Sequence, residues 1–221
     1  MKYIELEKYL FANSDQKFAS FSKSLSNSEY ISIGVKNPVL RQIIKEHKQD
    51  YELDPKDFAL GRYLEIDFIY FGLSLIRLNS VREQFRFLLD KVKLAKSWAI
   101  TDCLATYLKK FSFSEYYDFF LKTYSSPYTY ERRIAYVLGL KQYKDKQILK
   151  VLPLITQNEE YMVMMAEAWL LSSIAIIYED EVYQYLKDLT DITLKRKTIS
   201  KICDSFRFFE QSKERFKSLR K

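Results

Sequence analysis

The residues best equipped for chemistry in this 221-residue chain lie in one stretch, Lys96-Ser97-Trp98-Ala99-Ile100-Thr101-Asp102-Cys103-Leu104-Ala105-Thr106-Tyr107-Leu108. Ser97 reads as a helix N-cap, because its hydroxyl accepts from the free N–H groups of a following first turn. Ile100, Cys103, Leu104, Tyr107, Leu108 and Phe111 then recur at helical period as one apolar stripe. At about 100° per residue, Asp102 falls opposite that stripe, and Trp98 lies one turn earlier on the same side. An electron-rich ring beside a carboxylate is suited to stabilising a developing cation. The same face packed on a neighbouring helix would leave Asp102 a solvated charge, and the spacing alone fits both readings.

The elements that must position this pair are helices. The chain has only 4 Gly and 4 Pro, too few for the tight turns of a sheet protein of this length. Hydrophobic residues at 48% support a large core, and aromatics at 16% supply much of it. Cys103 and Cys203 fall on apolar helical positions without metal-ligand spacing, so they read as small buried hydrophobes in a reducing, cytoplasmic setting. The lone histidine, His47, sits at a helix end between charges and reads as a solvated surface residue. A single histidine argues against a His-dependent zinc site or a Ser-His-Asp triad. No stretch has the length of a membrane span, and the charged N-terminal segment lacks a secretory apolar run.

The net charge of +7 is unevenly placed. Residues 187–221 hold 11 Lys and Arg against 5 Asp and Glu, a net of +6. Clustered positive charge is the footprint of a polyanion partner; a lysine-rich tail kept for solubility would look the same.

Helices are expected near 2–12, 15–25 (stripe Phe18, Phe21, Leu25), from Asn37 as N-cap with Pro38 at the first helical position, from Asp54-Pro55 by the same logic, and near 64–78. Further ones fall near 81–93, 97–111, 113–124, 129–143, 145–156, 159–177, 179–189, 193–206 and 208–219. Gly34 is expected in a turn within the irregular stretch Ser26–Val35. The major helices begin about every 30–34 residues with a shorter one between, which is the signature of an α-solenoid of the HEAT-like kind. The expected architecture is therefore all-α, one HEAT-like repeat domain over residues 1–221. Stacked hairpins curve, and off-core residues of the major helices, Trp98, Asp102, Arg133, Trp169 and Arg196, would line the concave face.

Five segments of the chain then resemble one family. They are Gly34-Val35-Lys36-Asn37-Pro38-Val39-Leu40-Arg41, Lys96-Ser97-Trp98 with Asp102, Glu131-Arg132-Arg133-Ile134-Ala135, Ala166-Glu167-Ala168-Trp169-Leu170, and Lys195-Arg196-Lys197 with Ile199. In this order, over roughly residues 30–205, they resemble the AlkD-type DNA alkylation repair family. The resemblance implies a monomeric, cofactor-free and metal-free N-glycosylase that holds alkylated duplex DNA in a basic groove. It also implies excision of cationic purines such as 3-methyladenine or 7-methylguanine, with the lesion held from the sugar and backbone side rather than in a base-reading pocket. Asp102, Trp98 and Trp169 would form the catalytic group, and Arg133 would meet the DNA backbone. Lys195, Arg196 and Lys197 read as a phosphate-contacting helix start or, equally, as a solvated charge run.

Without the resemblance, Trp169 reads as a core residue on an all-apolar helix, Arg133 as an ion-pair partner of Glu131, and Glu167 as facing a polar groove or a partner. Several positions depart from the family's pattern. Ala99 stands where relatives often carry an acid, Met164 and Met165 where they carry polar or basic residues, Ala168 for a glycine, and Ser172 for an arginine. A different class of protein, a non-catalytic HEAT-like scaffold for nucleic acid or a protein partner, keeps the same fold.

Overall fold

The computed structural model describes residues 1–26, 29–155 and 160–220, apart from the side chains of 25 and 26. Helices make up the architecture, as expected, and no strand forms among the described residues. They group into two compact units, Met1–Phe111 and Ser112–Lys221.

The first unit contains α1 (Tyr3–Ala12), α2 (Gln16–Ser26), α3 (Asn37–Glu46), α4 (Leu64–Arg77), α5 (Val81–Lys91) and α6 (Trp98–Leu104). Its centre is α4, which is apolar on nearly every face and packs on both α3 and α6. Gly72 on α4 makes the close approach to α3 possible: a Cβ there would lie 2.4 Å from Ile44 Cδ1. Two acids interrupt this helix, and both are buried. Glu65 accepts from Ser32 Oγ (2.8 Å), Ile33 N (2.9 Å), Gly34 N (2.9 Å) and Val35 N (3.4 Å), so a single carboxylate holds the whole loop before α3. Gly34 turns that loop at φ +98°, and a Cβ would lie 2.2 Å from the Asp15 carbonyl oxygen. Asp67 accepts from Tyr30 Oη at 2.5 Å and from Gly61 N. Burial pushes its pKa up, and the Tyr30 and Gly61 bonds oppose that shift.

Several local expectations are corrected. Lys36, not Asn37, takes the N-cap position of α3, so Asn37 and Pro38 are its first two residues. Asp54-Pro55 starts only one 3-10 turn, capped by the Asp54 side chain on Lys56 N. The helix at Trp98 ends at Leu104 instead of 111. Gln84 explains the stop: its amide donates to the Tyr107 carbonyl and accepts from Lys109 N, satisfying a chain that has left the helix. The apolar stripe stays largely buried across that break, through Leu108 and Phe111. His47 is half-buried, with Nδ1 2.8 Å from Asp50 Oδ2, and the Met1 ammonium meets the same carboxylate oxygen.

The second unit contains α7 (Phe113–Thr123), α8 (Thr129–Gly139), α9 (Tyr161–Ile174), α10 (Glu179–Asp188), α11 (Ile192–Asp204) and α12 (Glu210–Lys217). A capping box, Ser112 with Glu115, starts α7. Helix α9 is the counterpart of α4: apolar nearly all round, it packs between α8 and α11. The Phe120 ring meets both Tyr116 and Tyr136 between α7 and α8. The stretch expected as a helix at 145–156 is 3-10 over Lys146–Leu154, with Pro153 inside it; residue 156, and the expected α9 start at 159, lie outside the described residues. The major helices begin at Leu64, Trp98, Thr129, Tyr161 and Ile192, 31–34 residues apart, as the repeat reading requires.

Candidate functional site

Trp98 and Asp102 are both half-buried at the edge of one cavity of about 240 Å³ in the first unit. Ser97 positions them by capping α6, accepting from Ala99 N at 3.2 Å. The cavity walls come from four further segments: Phe18 and Phe21 of α2, Val35 of the loop held by Glu65, Asn37 and Leu40 of α3, and Leu64 and Phe68 of α4. Three phenyl rings, the Trp98 indole and the Asp102 and Glu65 carboxylates thus share one opening. The Thr101 hydroxyl lies 3.4 Å from Asp102 Oδ1 and also bonds the Trp98 carbonyl, which ties the side chain to its own turn. Cys103 faces the same space; burial pushes its thiol pKa up, which suppresses the nucleophilic thiolate, and Arg41, 3.6 Å from the sulfur, opposes this only partly.

The other named residues belong to the second unit. Trp169 is not a core residue: it stands 37% exposed on α9, between the fully buried Ala168 and Leu170. It borders a second cavity, about 260 Å³, with Ser172, Lys201, Asp204, Ser205 and Arg207. Arg133 is 6% exposed, and its guanidinium donates to the Met162 carbonyl at the start of α9, while Glu131 accepts from Ser126. At the start of α11, Lys195 reaches the Lys187 carbonyl, Arg196 is exposed, and Lys197 lies 5.5 Å from the centre of the Tyr161 ring. Glu167 faces no groove; it is fully buried. Tyr136 and Tyr185 lie near it; burial first, and the Glu167 charge next, push their phenols up, Tyr185 to about 12.

Sequence reasoning missed Glu65, which shapes the first cavity, and Lys201 and Arg207, which border the second. An acid inside the apolar run of α4 was a signal for Glu65; the two cations carried no local signal. Cys203 is half-buried rather than buried, and both cysteines are free. Among the described residues, no group of three or more His, Cys, Asp or Glu is arranged to hold a metal ion, and no helix is long and apolar enough to cross a membrane.

Comparison with known proteins agrees with the helical architecture. A solved structure from Enterococcus faecalis, described as a predicted DNA alkylation repair enzyme, superposes with a TM-score of 0.68. It shares 16% identity, covering 87% of this chain and 98% of its own, so the likeness is one of fold. No curated protein sequence matches the chain. The family model for DNA alkylation repair enzymes matches residues 6–202, and over that span the chain belongs to the DNA alkylation repair enzyme family.

Proposed function

We propose that this protein is a DNA N-glycosylase that excises cationic alkylated purines, with Asp102 as its key carboxylate. The observation that carries the reading is the pairing of Trp98 and Asp102 at one aromatic-walled opening within a DNA alkylation repair chain. An alkylated purine already bears positive charge, so it leaves without a general acid. The bond between the base nitrogen and C1′ breaks, its electron pair goes to the base, and an oxocarbenium-like sugar remains. A carboxylate about 4 Å from that cation, at an effective dielectric near 20, contributes about 4 kcal/mol. That corresponds to roughly a thousandfold in rate. Asp102 then takes the proton from the water that attacks C1′. Trp98 offers its ring face to the same charge and keeps bulk water away.

Trp169 and the cations Lys195, Arg196 and Lys197 are assigned to DNA contact in this reading. Arg133 is assigned to the DNA backbone as well, and its bond to the Met162 carbonyl ties it to the start of α9.

The test is release of free base from methylated duplex DNA by the wild type and by Asp102→Asn. Release by the wild type alone supports the glycosylase and its carboxylate together. Equal release by both removes Asp102 from the mechanism. Release by neither, with DNA binding intact, favours a non-catalytic DNA-binding scaffold.

A further inference from the structure

The second cavity carries features that the glycosidic chemistry does not use. Lys201 near the end of α11 and Arg207 just after it face Trp169 and Ser172 of α9 across one polar opening. Ser172 is neutral, so the positive charge beside this tryptophan comes from α11 and the loop after it. Asp204 borders the same opening, so its net charge is +1 from three charged groups. Between Ser205 and Arg207 stands Phe206, 96% exposed, and Phe209 two residues beyond Arg207 is 86% exposed.

These rings are not exposed for want of a core. Phe208, between Arg207 and Phe209, is buried against Phe216 of α12 with ring centres 6.4 Å apart. The Ser205 hydroxyl accepts from Arg207 N at 3.2 Å and fixes the first turn of the loop. The inward plug at Phe208 therefore holds its neighbours outward in a set conformation, and a preorganised ring loses little entropy on contact. Two exposed phenyl rings flanking an arginine, in the segment that carries a net +6, match a polyanion with stackable faces.

We propose that Lys201, Arg207 and Phe206 form a nucleotide subsite for DNA: the cavity takes a backbone phosphate, and the adjoining unstacked base lies on the Phe206 ring. This rests on the DNA-binding part of the reading above, but not on excision. The two cations and the Ser205 hydroxyl supply phosphate ligands, while the Ser172 hydroxyl donates to the Trp169 carbonyl at 2.9 Å. Phe206 acts as the apolar surface that gains from a base already out of its stack.

The experiment is equilibrium binding of the full chain to a labelled duplex and to the same duplex with one unpaired, bulged base, across a salt series. The wild type is expected to bind the bulged duplex about tenfold more tightly, in keeping with the worth of one aromatic–base stack. Phe206→Ala should erase that preference and leave the salt slope unchanged. The double change Lys201→Ala with Arg207→Ala should weaken both complexes and make the slope of log K against log salt shallower by about 1. A bulge preference that survives Phe206→Ala, or is absent from the wild type, overturns the proposal, as does an unchanged slope in the double variant. Absence of DNA binding by the wild type at low salt overturns this proposal and the DNA reading together. Loss of base release with the bulge preference intact sinks only the glycosylase. Circular dichroism of each variant checks that the helices are retained.

Discussion

The two cavities each present a partly exposed tryptophan near the start or middle of a major helix, yet their surroundings have opposite electrostatic sense. Around Trp98 stand phenyl rings, aliphatic side chains and the carboxylate of Asp102. Around Trp169 stand lysine, arginine, serine hydroxyls and one aspartate. A carboxylate in apolar surroundings attracts a cation strongly because little solvent screens it. Cations beside hydroxyls in an open, wet cleft suit a phosphate, whose binding is governed by counterion release and falls with salt. On the proposed function, the same aromatic residue serves a cation-stabilising site in one unit and an anion-binding one in the other, and the neighbours decide which.

The contrast can be broken most severely at Asp102. Asp102→Asn keeps the shape and removes the charge, and should lower single-turnover base release about a thousandfold with unchanged DNA affinity. Next in size is Glu65→Ala, which leaves several buried donors of the 32–35 loop without an acceptor. At about 1–3 kcal/mol for each such group, a loss of about 3 kcal/mol in urea unfolding is expected, with the wall at Val35 and Asn37 displaced.

The tryptophans themselves sharpen the comparison. Trp98→Ala should slow base release about tenfold, the worth of one well-placed ring near a cation, with binding little changed. Trp169→Ala should instead weaken binding by a few-fold and leave the rate at saturating DNA alone. If both variants lose the same quantity, the division of labour is wrong.

The smallest effect belongs to a region outside both cavities. Hydrogen bonds from the Met1 ammonium first, and from His47 second, hold the Asp50 carboxyl well below its ordinary value of 3.8. The native state therefore binds fewer protons than the unfolded chain just below that value, so the stabilisation is complete above it and is lost as pH falls. Urea midpoints at neutral and acid pH should drop less steeply for Asp50→Asn than for the wild type.

Much of the fold was legible because helix signals are local. Scarce glycine and proline, the capping serine at 97, and the 31–34-residue spacing all come from residues close in sequence. What was not legible came from distant partners. The early end of α6 depends on Gln84, 23 residues before Tyr107, and nothing near Leu104 announces it. The walls of the first cavity needed Phe18, Phe21 and Phe68 brought together from two helices, while Leu25, expected on the same stripe, lies among side chains not described. Trp169 was ambiguous for another reason: a helix apolar on nearly every face has no preferred side in a periodicity argument, so the one ring it turns outward looks like the rest.

The phenols gathered in the second unit give it an internal optical gauge. Tyr116 and Tyr136 are fully buried, and burial holds their protons far beyond the ordinary value of 10.0 for a tyrosine. Tyrosines at a protein surface ionise in ordinary alkali and change their ultraviolet absorbance. The buried ones can follow only when α7, α8 and α9 part, because the phenolate has no place in that interior. An alkaline titration read in the near ultraviolet would therefore split into an early reversible wave and a late cooperative one; the late wave, to which Tyr107 of the first unit, pushed up to about 12 by burial, also contributes, would report the opening of the buried cores without any added probe.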